Sequence, residues 1–192
     1  MRRQFKAARP GQLHVADFTY VPLAGGRFAY TAFVIDAFAG LIPGWECSLS
    51  KQTAFVESAI VQSAEYRARQ GHLITGAIHH SDAGSQYTSV HFTDTLMLAG
   101  LTPSIGTVGD ALDNALAETT IGLYKTECIR DDSPFRNGPL ETLADVEQIT
   151  SAWVHWYNAS RLMHRLGRRP PAEAEAEYYD HHRAGHPGQA LT

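Results

Sequence analysis

The chain has 192 residues, of which 44% are hydrophobic and 19% are charged, and its formal net charge is −4 at pH 7. This composition fits one soluble globular domain with a full hydrophobic core and excludes a disordered or low-complexity chain. The negative charge counts against a simple basic nucleic-acid-binding module, whose phosphate contacts need clustered Lys and Arg. The N-terminus lacks the apolar run of a signal peptide, and residues 28–42 are too few to span a bilayer, so we expect a cytoplasmic protein.

Apolar runs and turn residues predict the elements in chain order. Residues 13–21, 27–38 and 41–47 are rich in β-branched and aromatic side chains and are separated by glycine-containing turns, which predicts three antiparallel strands. After residue 50, the spacing of apolar residues becomes that of helices alternating with short strands. We predict a helix over 50–70, a strand over 73–79, a helix over 89–99, a strand over 101–105, and helices over 110–129, 143–158 and 172–179. This order predicts an α/β fold with a five-stranded mixed sheet flanked by helices.

Three acidic residues lie in surroundings that suggest a metal site. Asp17 interrupts the first apolar strand, where a charge is costly unless it is paired or bound to metal. Asp82 follows the fourth strand, at the kind of strand end where open α/β sheets bind ligands. With Glu118 of the predicted 110–129 helix, they would form an oxygen ligand set suited to Mg²⁺ or Mn²⁺. Asp36, inside the second strand, is open to two interpretations: a fourth site carboxylate or the partner of an arginine.

The predicted 110–129 helix has two distinct stripes. Asp110 is expected to cap its first turn, as Thr142 caps the next helix. The residues expected to face the core are Leu112, Leu116 and Leu123. The more polar stripe at helical spacing contains Asn114, Glu118, Gly122 and Lys125. The sequence therefore predicts that Glu118 and Lys125 lie on one face, away from the core.

Six strings of the sequence carry a family resemblance. They resemble the second-frame product of bacterial insertion-sequence transposases, a protein with a retroviral-integrase-like catalytic core. The strings are ADFTYVP (16–22), FVIDAF (33–38), HHSDAGSQYTS (79–89), VGDALDNALAETTIGLYKTE (108–127), WYNASR (156–161) and RPPAE (169–173). Asp82 and Glu118 are separated by 35 residues, the spacing for which this superfamily is named. The resemblance extends over residues 9–177.

The resemblance implies a ribonuclease-H-like fold and a metal-binding catalytic triad of Asp17, Asp82 and Glu118, which would hold two Mg²⁺ or Mn²⁺ ions. It implies hydrolysis of a phosphodiester at the end of a DNA element, followed by attack of the freed 3′-hydroxyl on target DNA. The implied partners are element-end and target DNA at the nucleoid, other copies of the chain in a homo-oligomer, and an upstream-frame helix-turn-helix protein. Lys125 is implied to contact DNA. Asn114, on the same stripe, and His80, beside the site, are further candidate DNA contacts.

The same resemblance predicts the domain organisation. Residues 1–10 would be the remnant of an upstream linker and 11–160 the integrase-like catalytic core. Residues 161–192 would form a basic, proline-containing segment with a short helix and a disordered tail. Family members carry a helix-turn-helix region upstream of the core, and they commonly have Asn where this chain has Ile121 and Arg where it has Ala83. These departures leave an alternative open: a truncated, non-transposing remnant that only binds DNA or a full-length transposase.

The remaining reactive and aromatic residues are interpreted as core. Cys47 and Cys128 lie far apart and outside any metal-binding spacing, so we expect two buried, inert thiols and neither a disulfide nor a zinc site. The helical stripe of Trp153, Trp156 and Tyr157 favours core packing over base stacking.

Overall fold

A computed structural model describes residues 7–72, 76–81, 90–105 and 115–185. One five-stranded sheet, with the strand order β3-β2-β1-β4-β5, forms its centre. The strands are β1 (Leu13–Pro22), β2 (Phe28–Asp36), β3 (Gly44–Ser48), β4 (Ala77–Ser81) and β5 (Leu101–Ile105). The first three form an antiparallel meander, while β4 pairs parallel to β1 and β5 pairs parallel to β4. The predicted mixed α/β sheet is therefore confirmed.

Helices cover both faces of this sheet. They are α1 (Thr53–Arg69), α2 (Val90–Leu98), α3 (Ala115–Tyr124), α4 (Leu143–Ala159) and α5 (Pro171–Gly185). A π-helical turn, Lys125–Ile129, extends α3 to the predicted end of that helix. Thr142 caps α4 as predicted, in a capping box with Asp145. Within the described ranges, no helix is both long enough and apolar enough to cross a membrane.

Several element boundaries differ from the prediction. The third strand begins at Gly44 instead of residue 41, because the chain first turns through Gly40 and then meets Pro43, which has no N–H to donate to a sheet. β4 begins at Ala77 and not at residue 73, and residues 73–75 lie outside the described part. α5 continues six residues past its predicted end at 179. The predicted cap at Asp110 and the tail over 186–192 also lie outside the described residues.

The sheet separates two hydrophobic layers. Alternate residues of β1 and β2, including Val15 and Phe33, point toward α3 and α4. The residues between them, including Ala16 and Val34, point toward α1 and α2. The predicted aromatic stripe is part of the first layer: Trp153 and Tyr157 are buried, and Trp156 is partly buried against the same core. Their interpretation as core residues is confirmed.

Glycine at position 44 brings α1 close to the sheet. A Cβ atom at Gly44 would lie 2.0 Å from the carbonyl oxygen of Ala59 in α1. Since real Cβ atoms do not approach backbone so closely, any other residue here would push α1 away from β3. The close packing fixes α1 over β2 and β3 and leaves the opposite face of the sheet to α3 and α4.

Candidate active site

Asp17 lies in the middle of β1 and is partly exposed. Its residue pair in the antiparallel ladder is Phe33 of β2, and its Oδ1 accepts the N–H of Phe18 at 2.8 Å. Side chains alternate along a strand, so Asp17 shares the sheet face of Val15 and Val21, which pack in the layer formed with α3 and α4. Asp17 is therefore a carboxylate at the edge of this layer and not a residue of its interior.

The pairing of β1 with β4 ends directly before two of the expected site positions. Ala16 of β1 pairs with Ser81 of β4 in the parallel ladder. Asp17 follows Ala16, and Asp82 follows Ser81. Asp82 itself lies outside the described residues. The last paired residues of the two strands are thus the immediate neighbours of two of the three expected carboxylates.

Glu118 is exposed in the first turn of α3. The buried residues of this helix and the π-turn are Ala117, Thr120, Ile121, Tyr124 and Cys128. Leu116 and Leu123, two of the predicted core residues, are partly buried and pack against this core, and Leu112 lies outside the described residues. The prediction omitted Thr120 and Tyr124, which look polar in sequence, yet each hydroxyl finds a partner, the carbonyl of Leu116 and Thr150 respectively. Glu118 remains on the outward stripe, as predicted.

Lys125 joins the π-turn after α3 to β1. Its Nζ lies 4.7 Å from the ring centroid of Tyr20 in β1, a cation–π contact. α3 itself packs against β1.

The π-turn that carries Lys125 is held by an ion pair that the sequence analysis did not find. Glu127 accepts hydrogen bonds from the Arg161 guanidinium at 2.6–3.0 Å and from the Trp153 indole N–H at 3.2 Å. Both the acid and the arginine are mostly buried, so water competes little with this contact. These bonds join the end of α3 to α4 and fix the backbone from which the Lys125 side chain projects. The signal in the sequence was Arg161 in the WYNASR string, directly after the aromatic stripe.

Other predicted contacts are only partly described. Asn114 lies outside the described residues. The backbone of His80 is in β4, paired with Val15 on one side and Ser104 on the other, and nothing in the described part concerns its side chain. Among the residues that the structure does describe, no three His, Cys, Asp or Glu side chains form a group that could hold a metal ion. Asp82 is not among the described residues, so this statement does not include it.

Position 121 shows why one departure from the family pattern matters less than the sequence suggested. Ile121 is buried in the layer between α3 and the sheet. It faces the core, one helical turn from the outward Glu118, so an apolar side chain suits this position. The change affects core packing and leaves the outward stripe of α3 unchanged. The departure at Ala83 lies outside the described residues.

Asp36 belongs to a buried ion cluster away from this surface. The Arg67 guanidinium donates to Asp36 at 2.7 Å and to Glu175 of α5 at 2.5 and 2.8 Å. Asp36 also accepts the backbone N–H groups of Gly11 and Phe38, at 2.6 and 2.9 Å. Asp36 and Arg67 are fully buried. Of the two interpretations of Asp36, the arginine partner is the one confirmed.

Charges within the cluster set the protonation of Asp36. Burial raises the pKa of its carboxyl, but hydrogen bonding and the charges of His14 and Arg67 outweigh burial and hold that pKa below its usual range. The Nε2 atom of His14 lies 3.6 Å from the carboxylate. Asp36 is therefore ionised in the folded protein and committed to these internal partners.

Both cysteine thiols are buried and free, as expected. Burial raises the pKa of Cys47 to about 11 and that of Cys128 to about 12. Since the thiolate is the reactive and metal-binding form, neither side chain is suited to nucleophilic or metal chemistry near pH 7. Cys47 lies 3.4 Å from the Thr31 hydroxyl, inside the core.

Two protein families match parts of this sequence. Residues 7–111 match a family described as an integrase core domain, and residues 99–171 match a second family with the same description. The first match includes Asp17 and Asp82, and the second includes Glu118 and Lys125. Together the two matches cover both elements, β1 and α3, on which the described site residues lie.

Individual relatives agree with this match. The chain is 49% identical over 179 residues to the transposase for insertion sequence element IS629 of Shigella sonnei, covering 93% of this chain and 56% of that protein. It is 47% identical over 180 residues to a protein named for insertion sequence element IS986/IS6110 of Mycobacterium tuberculosis, covering 93% of this chain and 63% of that protein. The chain thus spans less than two thirds of either relative.

A solved structure with the same fold is the HTLV-2 integrase catalytic core domain in complex with magnesium, in its trimeric form. Its TM-score to this chain is 0.65 at 17% identity, over 88% of this chain and 99% of that one. At this identity the likeness concerns the fold alone. It agrees with the mixed five-stranded sheet and flanking helices described above, and the ribonuclease-H-like prediction is confirmed.

Proposed function

Because the chain belongs to the integrase core domain family, we propose that it is the catalytic core of a DDE-type insertion-sequence transposase. Its activity would be divalent-metal-dependent phosphodiester hydrolysis followed by DNA strand transfer. The residues proposed to carry the chemistry are Asp17, Asp82 and Glu118. The proposal concerns the core, and the complete relatives are longer than this chain.

The observation that most supports the proposal is the strand register at β1 and β4. Ala16 of β1 pairs with Ser81 of β4, and in the sequence Asp17 follows Ala16 and Asp82 follows Ser81. α3 packs along β1 on the face that Asp17 shares, with Glu118 exposed in its first turn. The register supports the proposal that these three sequence-distant carboxylates form one site. A surface aspartate or glutamate with no shared role would not need this register.

The donor set fits Mg²⁺ or Mn²⁺. All three proposed ligands are carboxylates, the hard oxygen donors that these ions prefer, and no thiol or imidazole is needed. Asp17 is partly exposed and Glu118 is exposed, so neither is enclosed in the core in the way that Asp36 is. When bound, the metal would activate the attacking oxygen and neutralise charge on the leaving oxygen of the phosphodiester, a role for which two ions are commonly used.

The protein's own side chains would position the DNA. Lys125 is a compact cation about three residues along β1 from Asp17 and can donate to a phosphate oxygen next to the reacting one. Glu127 and Arg161 would keep the π-turn in place while this contact forms, because they tie it to α4. Asn114 and His80 are proposed as further DNA contacts. The attacking groups would be water and then a DNA 3′-hydroxyl, so no protein nucleophile is required.

The proposed partners follow from this chemistry. We propose that the chain acts on element-end and target DNA at the bacterial nucleoid, in the cytoplasm. We also propose that it works as a homo-oligomer on DNA, together with an upstream-frame helix-turn-helix protein that reads the element end. Phosphate contacts from a core of net charge −4 position DNA without reading its bases.

A nicking and strand-transfer assay tests the proposal. The substrate is a labelled DNA duplex ending in the inverted repeat that flanks the gene, incubated with Mg²⁺ or Mn²⁺ or with EDTA. We expect metal-dependent 3′-end processing by the wild-type chain and none by Asp82→Asn. Glu65→Gln, which alters an exposed glutamate on α1, should retain the activity. Equal nicking by wild type and Asp82→Asn would overturn the proposal.

A further inference from the structure

A groove at the end of the β1–β2 hairpin lies beside the proposed active site. Its volume is about 770 Å³, and the side chains that matter here are those of Tyr20, Pro22, Lys125, Arg130, Arg136 and Leu140. This volume is within the range of protein ligand sites. We refer to it as the hairpin groove. Its Tyr20 lies three residues, about 10 Å, along β1 from Asp17, with a side chain that leaves the opposite face of the strand.

Two exposed aromatic side chains lie at this end of the hairpin: Tyr20 lines the hairpin groove, and Phe28 contacts the Tyr20 ring. Tyr20 is 55% exposed and Phe28 is 47% exposed, and their ring centroids are 5.5 Å apart in an edge-to-face arrangement. Neither ring belongs to either of the two hydrophobic layers of the core. Even with Lys125 over one face, more than half of the Tyr20 surface stays open. Open aromatic faces beside a cation form a surface on which a nucleobase can stack.

The groove is also cationic. Its lining includes the cations of Lys125, Arg130 and Arg136 and the two carboxylates of Asp131 and Asp132, which leaves a net positive charge within a chain of net charge −4. Because three cations face two carboxylates, the net charge of the lining is +1, and attraction of a phosphate depends on which cations are accessible.

The three cations differ in how freely they could meet a phosphate. Arg136 is mostly buried and donates to the backbone carbonyls of Ile129 and Gly138, so it shapes the loop. Arg130 pairs with Asp132 at 2.7 Å, but both side chains are well exposed, and such a surface pair is weak enough to exchange for a phosphate. Lys125 contacts the Tyr20 ring. Lys125 and Arg130 are therefore the two available cations.

We propose that the hairpin groove binds an unpaired segment of the DNA strand that continues from the reacting phosphate. Its bases would stack on Tyr20 and Phe28, and its phosphates would contact Lys125 and Arg130. The inference rests on the proposed function, since that function places DNA at Asp17. The combination of aromatic faces and a cationic path is the one by which proteins hold single strands without reading their sequence.

The test is direct binding of single-stranded DNA without metal, so that it does not depend on catalysis. Fluorescence anisotropy follows a labelled oligothymidine about 12 nucleotides long, in EDTA, with the full chain. The double variant Tyr20→Leu, Phe28→Leu should raise Kd about fivefold to a hundredfold, the effect of removing base stacking. Tyr20→Phe, which keeps the ring, should bind within about twofold of wild type. Thermal melting of each variant verifies that it is folded.

The cation contacts have a separate signature. Lys125→Gln should weaken binding and reduce the slope of log Kd against log salt concentration by about 0.7, the value for one phosphate contact on a single strand. Lys51→Gln, at an exposed lysine outside the groove, should leave both Kd and slope unchanged. An equal-length duplex should bind without sensitivity to the aromatic double variant.

The outcomes separate this inference from the proposed function. If the wild-type chain does not bind the oligothymidine, or if the aromatic double variant binds it as tightly as wild type, the groove inference is overturned. Metal-dependent nicking measured on the same preparations decides the proposed function independently. Nicking by wild type with no aromatic effect on binding would leave the proposed function intact and remove the groove alone.

Discussion

Two groups of carboxylates in this fold lie in opposite surroundings. One member of each group, Asp36 and Asp17, lies on one of the two adjacent antiparallel strands β2 and β1. Asp36 of β2 is fully buried and bound to Arg67, which also holds Glu175. Asp17 of β1 is partly exposed, on the opposite face from α1, and Glu118 is exposed on α3. The first group joins β2, α1 and α5 into one core. The second is proposed to stay accessible to metal and DNA.

The comparison teaches that an apolar sequence context does not identify a catalytic carboxylate. ADFTYV and FVIDAF are equally apolar around their aspartates. The difference comes from the helix that packs against each strand: α1 supplies an arginine to Asp36, whereas α3 packs against β1 and carries the exposed Glu118. Arg67 continues the buried face of α1 that contains Val56, Ile60 and Ser63. An arginine on the buried side of an amphipathic helix indicates a buried acidic partner, and this signal was present in the sequence.

The largest effect is expected from breaking the buried cluster. Arg67→Met leaves the carboxylates of Asp36 and Glu175 buried without their cation, and removal of one partner from a buried ion pair costs about 3–5 kcal/mol of unfolding free energy. Urea denaturation followed by tryptophan fluorescence measures this loss. Arg69→Met, two residues away in an exposed pair with Glu65, should cost less than about 1 kcal/mol. Similar stabilities for the two variants would show that the cluster contributes little.

A smaller loss is expected from the two buried thiols. The double variant Cys47→Ala, Cys128→Ala removes one buried sulfur atom from each site, which should cost about 1–3 kcal/mol through lost contacts and small cavities. Thermal melting measures the loss. Any metal-dependent nicking should persist, because both thiols have raised pKa values and lie in the core. Loss of nicking in a variant that melts as a folded protein would mean that a thiol takes part in the chemistry.

The pH dependence of stability offers a finer test of Asp36. Its folded pKa is lowered below the unfolded value of about 3.9. Its ionised form therefore stabilises the fold above about pH 4, and this contribution is lost as the pH falls through the folded pKa. Unfolding free energies between about pH 5 and pH 3 should decline more steeply for wild type than for Asp36→Asn. Parallel slopes would contradict the assignment of Asp36 as an ionised partner of Arg67.

Much of the fold could be predicted from the sequence, and the reasons are physical. The alternation in β1 and β2 and the helical spacing in α1 and α4 are strong local patterns, so the element order was correct. The predicted start of β3 was wrong because the spacing of apolar residues shows neither the effect of Pro43 nor the close approach of α1 at Gly44. The prediction omitted Thr120 and Tyr124 from the buried face of α3, because they look polar in sequence but satisfy their hydroxyl groups inside the core.

For the site, the sequence predicted a set of carboxylates but not the contacts that position the elements carrying them. Motif and spacing predict that Asp17 and Glu118 share a site, and α3, which carries Glu118, packs against β1. The ion pair between Glu127 and Arg161 joins elements 34 residues apart, and no local pattern predicts such a tertiary contact. The same holds for Arg67 and Glu175, which are 108 residues apart.

Mn²⁺ binding by the metal-free protein, followed by electron paramagnetic resonance, tests the central claim most directly. Asp17→Asn, Asp82→Asn and Glu118→Gln should each weaken Mn²⁺ binding by at least the roughly 10–100-fold typical of outer-shell changes. Their unfolding free energies should stay within about 0.5 kcal/mol of wild type or rise, because each removes a like charge from an accessible cluster. Glu65→Gln, at an exposed helical glutamate of α1, should bind Mn²⁺ like wild type. Undiminished Mn²⁺ binding by all three site variants would contradict the account.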